Sequence, residues 1–347
     1  MTTPPVVRAA GGPEERGRTI GAALAEPIHR SLDFYRRFLE RRGAGPGDLP
    51  GLLGLYREAW AASLPHVLAE LDGMAEGAEV PWWELFAVND FEELEAMLPE
   101  PAGIERCTAF AVSGPQGTLL GHNEQWFAGD AGNIAVIVGQ PDDGSAFASP
   151  TVATCLPAVG MNAAGMAQGV MSLSHRDDRE GVPRVPVSRH ALQAVDPEDA
   201  FTRVTVAGRS GGYAYVLARA GGWTSMFETS ATSIAQWPEE AAHTNHYLAP
   251  PLAEGGTASA GSVSRLERLR ELLAERRPAT PEDAMDILRD HDSVPQSICL
   301  HADPADGDEA SAVLFSMVCH LEERRMWVAA GNPCIEPYRE IELPEVA

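Results

Sequence analysis

The sequence predicts an α+β protein in which helices pack on stacked, mostly antiparallel sheets. Three observations lead to that class. From Pro13 to about Leu98 the apolar residues recur at helical spacing. At Cys107 the periodicity changes to short apolar and β-branched runs that come as hairpins. Between the hairpins the helical stretches come in pairs rather than singly, which disfavours an alternating doubly wound sheet.

Taken in order, residues 1–12 read as a flexible tail. Ile20, Leu24, Ile28 and Leu32 then recur every fourth residue, with Pro27 marking a break, and Phe34, Phe38 and Leu39 extend the apolar face. Gly43 to Gly47 is a connector. Leu52, Leu53, Tyr56, Trp60 and Leu64 line the next helix, Val67, Leu68, Leu71 and Met74 another, and Pro81 opens a further one. Glu92 to Gly103, acidic and proline-bearing, reads as an exposed linker. The hairpin Cys107–Ser113 and Thr118–Asn123 turns on Gly114-Pro115-Gln116-Gly117. Ile134–Val138, Thr151–Cys155 and Met166–Leu173 are further strands, and Val187–Ala194 is helical. Asp196 caps a helix that carries Pro197 in its first turn. Tyr213–Arg219 and Trp223–Glu228 form a second hairpin. Ser264 to Glu267 reads as a capping box, and Thr280 caps another helix. Strands at Gln296–His301, Ala312–His320 and Arg324–Ala330 close the chain.

Composition narrows the function. At 347 residues, with 44% apolar and 22% charged, the chain can bury a large core. A formal net charge of −24 excludes nucleic acid and anionic membrane as partners, because both demand basic patches. No apolar run is long enough for a membrane helix and no signal peptide is visible, so a cytoplasmic protein is expected. All 26 basic residues are arginine. Schiff-base chemistry, Ser-Lys dyads and the Walker A loop, which need lysine, are therefore excluded. The five cysteines, Cys107, Cys155, Cys299, Cys319 and Cys334, are widely spaced, and neither a disulfide framework nor a thiolate zinc site is suggested. His243 and His246 lack a third ligand in a metal-binding pattern, so no metal and no cofactor are expected. Gly160 to Gly165 lacks a Rossmann context, and no Gly-x-Ser-x-Gly elbow or papain-type cysteine signature occurs.

What remains is an ordered series. Cys107-Thr-Ala-Phe-Ala-Val is followed by Gly121-His-Asn-Glu, Met161-Asn-Ala-Ala-Gly-Met166 and Ser172-Leu-Ser with Arg176-Asp177. Gly181-Val-Pro183, His243-Thr-Asn-His246 and Trp327-Val-Ala-Ala-Gly come after. This series resembles the acyl-coenzyme A:6-aminopenicillanate acyltransferase family, also called C45, over nearly the whole chain.

The resemblance implies an N-terminal nucleophile hydrolase with a four-layer αββα core, preceded by a helical pro-segment. Self-cleavage between Arg106 and Cys107 would give chains 1–106 and 107–347, the second of 347 − 106 = 241 residues, within one integrated structural unit. Cys107 would be the nucleophile, and its freed α-amine, with a pKa near ~8, the general base. By its place in the motif, Asn245 would face the oxyanion. Glu124 and His243 belong to the same motifs as supporting residues. Thr108 and Asn123, from their positions on the hairpin, are expected close to the cysteine. Arg176 would pair with Asp177 or a substrate carboxylate, or lie in a solvated loop.

The partners implied are a small-molecule acyl donor and an amine acceptor or water. The donor could be a coenzyme A thioester, an N-acyl amine or an aminoacyl amide, with secondary metabolism as the setting, and a homo-oligomer is left open. Two positions depart from the family. Arg106 stands where the best-known members carry glycine, and Gln125 where they carry an aspartate that orients the site. Two other readings therefore stay open. One is an unprocessed relative that binds an acylated small molecule without catalysis. The other is a thiol hydrolase with an internal Cys107 and His243 or His246 as base.

Overall fold

The computed structural model describes residues 3–45, 47–98, 107–142, 144–237, 241–292 and 294–343. The chain opens with a strand, β1 (Val6–Gly11), and a run of helices: α1 (Pro13–Ala23), α2 (Ala25–Arg41), α3 (Leu49–Leu52), α4 (Gly54–Ser63), α5 (Pro65–Gly77), α6 (Trp82–Asn89) and α7 (Phe91–Met97). The hairpin β2 (Thr108–Gly114) and β3 (Gly117–Phe127) follows, then β4 (Ile134–Pro141), β5 (Phe147–Val152), β6 (Gly160–Asn162) and β7 (Met166–Leu173). Helices α8 (Arg184–Ala191) and α9 (Pro197–Val204) precede β8 (Gly212–Arg219), β9 (Trp223–Thr229), β10 (Ile234–Trp237) and β11 (Ala242–His243). Helices α10 (Pro250–Ala253), α11 (Ala260–Arg276) and α12 (Pro281–Leu288) lead to β12 (Ser311–His320), β13 (Arg325–Ala330) and β14 (Arg339–Glu342).

The strands form two sheets, β1-β4-β5-β6-β7-β8-β9-β10 and β11-β2-β3-β12-β13-β14. Side chains alternate between the faces of each strand, and this alternation builds the layers. Val136 and Val138 of β4 face the second sheet together with Ala109, Ala111 and Leu120, whereas Ala135 and Ile137 face the N-terminal helices. Phe110 and Leu119 look outward from the second sheet onto Leu269 of α11 and Ile287 of α12. The result is the expected αββα arrangement. Helices α1 and α5 touch backbone to backbone: a Cβ added at Gly17 would lie 1.9 Å from the Glu70 carbonyl oxygen, and one at Gly73 2.2 Å from that of Glu14. Glycine is therefore required at this crossing.

Four expectations need correction. Residues 1–12 are not all tail, since β1 pairs in parallel with β4 and buries Val7 and Ala9 against the helices. Two small inward residues are too faint a pattern to read as a strand. The stretch from Glu92 is not an exposed linker, because α7 reaches Met97 with Glu93 and Glu95 buried, and Glu93 pairs with buried Arg184. Residues 99–106, which hold the rest of that stretch and Arg106, lie outside the described residues. Gln296–His301 forms no strand; Ile298 offers its carbonyl to side chains of β3 instead of a ladder. Helix α11 begins a turn before Ser264, with Ser259 accepting the Ser262 amide at 3.0 Å. Among the described residues no helix is long and apolar enough to cross a membrane.

Candidate active site

The hairpin register decides which motif residues share a face. Thr108 pairs with Asn123 and Ala109 with His122. Cys107, just before β2, points between the sheets with Ala109 and Ala111. On β3, residues 122, 124 and 126 point the same way. The Cys107 thiol donates to Glu124 Oε1 at 3.1 Å, and Glu124 Oε2 meets His122 Nε2 at 3.0 Å. Thiol, carboxylate and imidazole thus form a compact cluster, their sulfur, oxygen and nitrogen atoms within 4.8 Å of one another, with Cys107 and His122 both buried. Burial pushes the Cys107 thiol well above its ordinary value; the charge of Glu124 pushes the same way, and the backbone N–H of Gln125 opposes them. The resting thiol is neutral at neutral pH and needs a base at the moment of attack.

Cys107 and Glu124 line a cavity of about 100 Å³ whose walls are chiefly apolar. Val88, Phe91 and Glu92 of the N-terminal helices form one side, with Val152, Val170 and Phe315 from the two sheets opposite. Asn89, Glu92, Glu93, Thr151, Ser172 and Tyr213 add polar groups to the wall, and the Ser172 hydroxyl donates to Glu92. Behind them lies Arg184, 2.7 Å from both Glu93 and Asp178 and 3.9 Å from Glu92. Burial alone would lower this guanidinium's pKa, but the three carboxylates hold it well above the ordinary value.

The remaining motif residues take different places. Thr108, Asn123 and Gln125 lie on the opposite face of the sheet from Cys107, although they are adjacent to it in sequence or register. Asn123 Nδ2 donates to the carbonyls of Leu288 at 2.9 Å and Ile298 at 3.0 Å, and Gln125 Nε2 donates to Ile298 at 3.1 Å. These amides tie β3 to the outer helical layer. At position 125 a side chain faces away from the thiol, so the glutamine leaves the charges around Cys107 unaltered.

Asn245 follows β11, which pairs with β2 through Ala242 with Phe110 and His243 with Ala109. Continued for two more residues, that register sets Asn245 opposite Cys107. Asn245 Nδ2 donates to the carbonyl of Ser172 at 3.1 Å, and its Oδ1 accepts from buried Arg265 at 2.9 Å. His243 is buried, but its Nε2 meets Glu228 Oε1 at 2.8 Å. His246 Nδ1 meets the Ser262 hydroxyl at 2.8 Å. Neither histidine is paired with the thiol, so the internal Cys–His arrangement is not formed. Arg176 is exposed and among the described residues makes no side-chain ion pair, which is the solvated-loop alternative. Asp177 instead accepts from Ser230 at 2.8 Å and from Thr232.

His122, Glu92, Ser172 and Tyr213 were not singled out as site residues from sequence. His122 was open to discovery, because it lies two residues from Glu124 on a strand and must share its face.

A buried thiol at the start of a strand, paired with a carboxylate at the wall of an apolar cavity between two sheets, suits acyl-group chemistry. The family model for acyl-coenzyme A:6-aminopenicillanic acid acyl-transferase matches residues 112–334, and the chain belongs to that family. It is an enzyme of the acyltransferase class. It is 26% identical over 341 residues to the acyl-coenzyme A:6-aminopenicillanic-acid-acyltransferase 40 kDa form of Emericella nidulans, covering 94% of this chain and 92% of that protein. Similar solved structures include penicillin V acylase from Agrobacterium tumefaciens, at a TM-score of 0.45 and 14% identity over 65% of this chain and 83% of that one. Another is a mutant of conjugated bile acid hydrolase from Clostridium perfringens, at 0.42 and 11% over 69% and 98%.

Proposed function

We propose that the enzyme activates itself by cutting its chain before Cys107, and then passes acyl groups from a small amide or thioester through the Cys107 sulfur. The observation that carries this is the thiol-to-carboxylate hydrogen bond of 3.1 Å at the wall of the apolar cavity. In the uncut chain the Cys107 nitrogen is an amide and cannot act as a base. Glu124 takes the thiol proton while sulfur attacks the Arg106 carbonyl carbon. The C–N bond breaks, the Cys107 nitrogen takes up a proton, and a thioester joins Arg106 to the sulfur. Water hydrolyses this thioester, leaving a carboxylate on Arg106 and an N-terminal Cys107 with free thiol and amine.

In turnover the α-amine, with a pKa near ~8, becomes the base for its own thiol. Sulfur attacks the substrate carbonyl, the leaving amine or thiol departs with a proton, and the acyl-enzyme passes its acyl group to an amine or water. Asn245 is the oxyanion donor, oriented by Arg265 and the Ser172 carbonyl. The apolar walls suit a hydrophobic acyl group. The carboxylates of Glu92 and Glu124 favour an amine as the other partner. The name of the fungal relative supports an acyl-coenzyme A donor and a β-lactam amine as first compounds to assay.

Intact mass and a denaturing gel test the proposal. Wild type is expected as two chains split before Cys107, with Cys107→Ala a single chain. A wild type that stays whole under native conditions, with Cys107→Ala behaving identically in every assay, would remove Cys107 from the chemistry.

A further inference from the structure

On the outer side of the second sheet, across β3 from the cavity, four potential metal ligands converge. His291 follows α12, Cys299 and His301 lie on the irregular segment before β12, and Cys334 lies in the turn between β13 and β14. Their ligand atoms all lie within 4.8 Å of one another. The sulfurs of Cys299 and Cys334 are 3.6 Å apart, and His301 Nε2 is 3.3 Å from Cys334 Sγ and 3.9 Å from Cys299 Sγ. His291 Nε2 is 3.0 Å from His301 Nε2.

Bond lengths of ~2.3 Å for Zn–S and ~2.0–2.1 Å for Zn–N make a tetrahedron with edges of about 3.8 Å between sulfurs, 3.5 Å for S–N and 3.3 Å for N–N. The four separations given lie within about half an ångström of those edges, and the two from His291 to the sulfurs are below 4.8 Å. We propose that His291, Cys299, His301 and Cys334 form a structural Cys₂His₂ site for zinc. The chemistry is balanced: zinc displaces the two thiol protons, and two thiolates with two neutral imidazoles neutralise its charge.

The surroundings suit the role. Asn332 Nδ2 reaches Cys299 Sγ at 3.6 Å and the Leu300 carbonyl at 2.7 Å, an outer contact that holds the segment carrying Cys299 and His301. All four positions are filled by protein, which is the closed pattern of a structural rather than a catalytic zinc. The site clamps the segment whose Ile298 carbonyl receives Asn123 and Gln125, on the back of the strand that carries Glu124. This reverses the sequence expectation of no metal, and it does not depend on the reaction proposed for Cys107.

Elemental analysis of the full chain, purified under reducing conditions without chelator, is expected to give about one zinc per chain. Cobalt supplied to chelator-stripped protein should develop the visible absorption of tetrahedral thiolate coordination. Cys299→Ser with Cys334→Ser should lose both signals, whereas Cys107→Ala should keep them. His291→Ala removes only an exposed ring, so it tests the site with the fold intact by circular dichroism; it should lose cobalt absorption. Asn332→Ala should weaken zinc by about 10–100-fold. Chelation should lower the melting temperature of wild type and leave the double serine variant unchanged. Failure of reduced wild type to take up zinc or cobalt overturns the proposal. So does equal uptake by the double serine variant, or a native mass two hydrogens lighter from a Cys299–Cys334 disulfide.

Discussion

The Cys107–Glu124 contact makes two expectations of opposite sign for one substitution. Glu124→Gln keeps the shape of the side chain and its ability to accept from the thiol, but removes its capacity to take the proton. The 3.1 Å contact places Oε1 directly on the thiol, while His122 meets the other carboxylate oxygen at 3.0 Å and keeps a ring nitrogen within 4.8 Å of the sulfur without a hydrogen bond to it. Glu124 is the one group of this cluster that accepts from the thiol, so the substitution removes the base in contact with it. The full general-base contribution should therefore disappear, a slowing of self-cleavage by about 10²–10⁴-fold, or about 3–5 kcal/mol of barrier. The same change removes a negative charge that holds the thiol pKa up. The variant should then ionise at lower pH than wild type, and its alkylation by iodoacetamide should shift to lower pH.

Two measurements on one sample check this: the rate at which the full-length band disappears, and the pH profile of alkylation followed by intact mass. To keep the thiol comparison clean, alkylation is read on the uncut fraction, where Cys107 has no free amine. A Gln variant that cleaves at the wild-type rate would refute Glu124 as the base. A slow variant whose alkylation profile moves to higher pH would show that the carboxylate favours the thiolate, the opposite of what two like charges in contact should do.

Three further outcomes follow from the site and its supports. Asn245→Ala should lower turnover by about 10²–10³-fold while folding and secondary structure persist, and a near-normal rate would remove the amide from the oxyanion site. Asn123→Ala leaves the buried Leu288 and Ile298 carbonyls without its donors, so urea unfolding should show a loss of about 2–4 kcal/mol. Glu70, buried between Arg16 at 2.6 Å and Arg189 at 2.9 Å, is pulled up by burial but held below the ordinary carboxylate range by Arg189 and Arg16. Its stabilising contribution is present above the unfolded-state value of about 4.3 and declines as pH falls below it. Glu70→Gln should cost about 3–5 kcal/mol near neutral pH and flatten the acid side of the stability profile.

Much of the fold was legible because its elements repeat on a fixed period. Ile20 to Leu32 announced a helical face, and Met166–Leu173 and the Tyr213–Arg219 hairpin arm announced strands, since nothing else buries residues at those spacings. Asp196 and Thr280 marked helix starts by the same local chemistry that the structure uses. The site was only half legible. Sequence proximity suggested Thr108 and Asn123 as neighbours of the thiol, but period-two alternation sends both to the far face, and a one-residue shift of register would have exchanged the two sets. Sequence also could not show that His243 spends its ring on Glu228, because β9 and β11 meet only through the stacking of the two sheets. Residues 291 to 334 posed the same difficulty. Their four ligands reach one point only after α12, β12 and β13 are in place.

The N-terminal helices help to build the cavity beside Cys107. Val88, Phe91 and Glu92 precede the proposed cut, whereas Val152, Val170 and Phe315 follow it, and one cavity uses both sets. The core beneath the first sheet is likewise shared, with Phe38, Trp60 and Phe86 packed into one cluster with Ile137 and Phe147. Glu70 adds a buried ionic link from α5 to Arg189 of α8. A cut before Cys107 would therefore free an amine without freeing the helices, since extracting them would expose that apolar face and strand a charge. On the proposed reaction, one product of the cut would supply the nucleophile and the other a large part of the acyl-binding wall, so substrate choice would vary through α6 and α7 while the chemistry at Cys107 stays fixed.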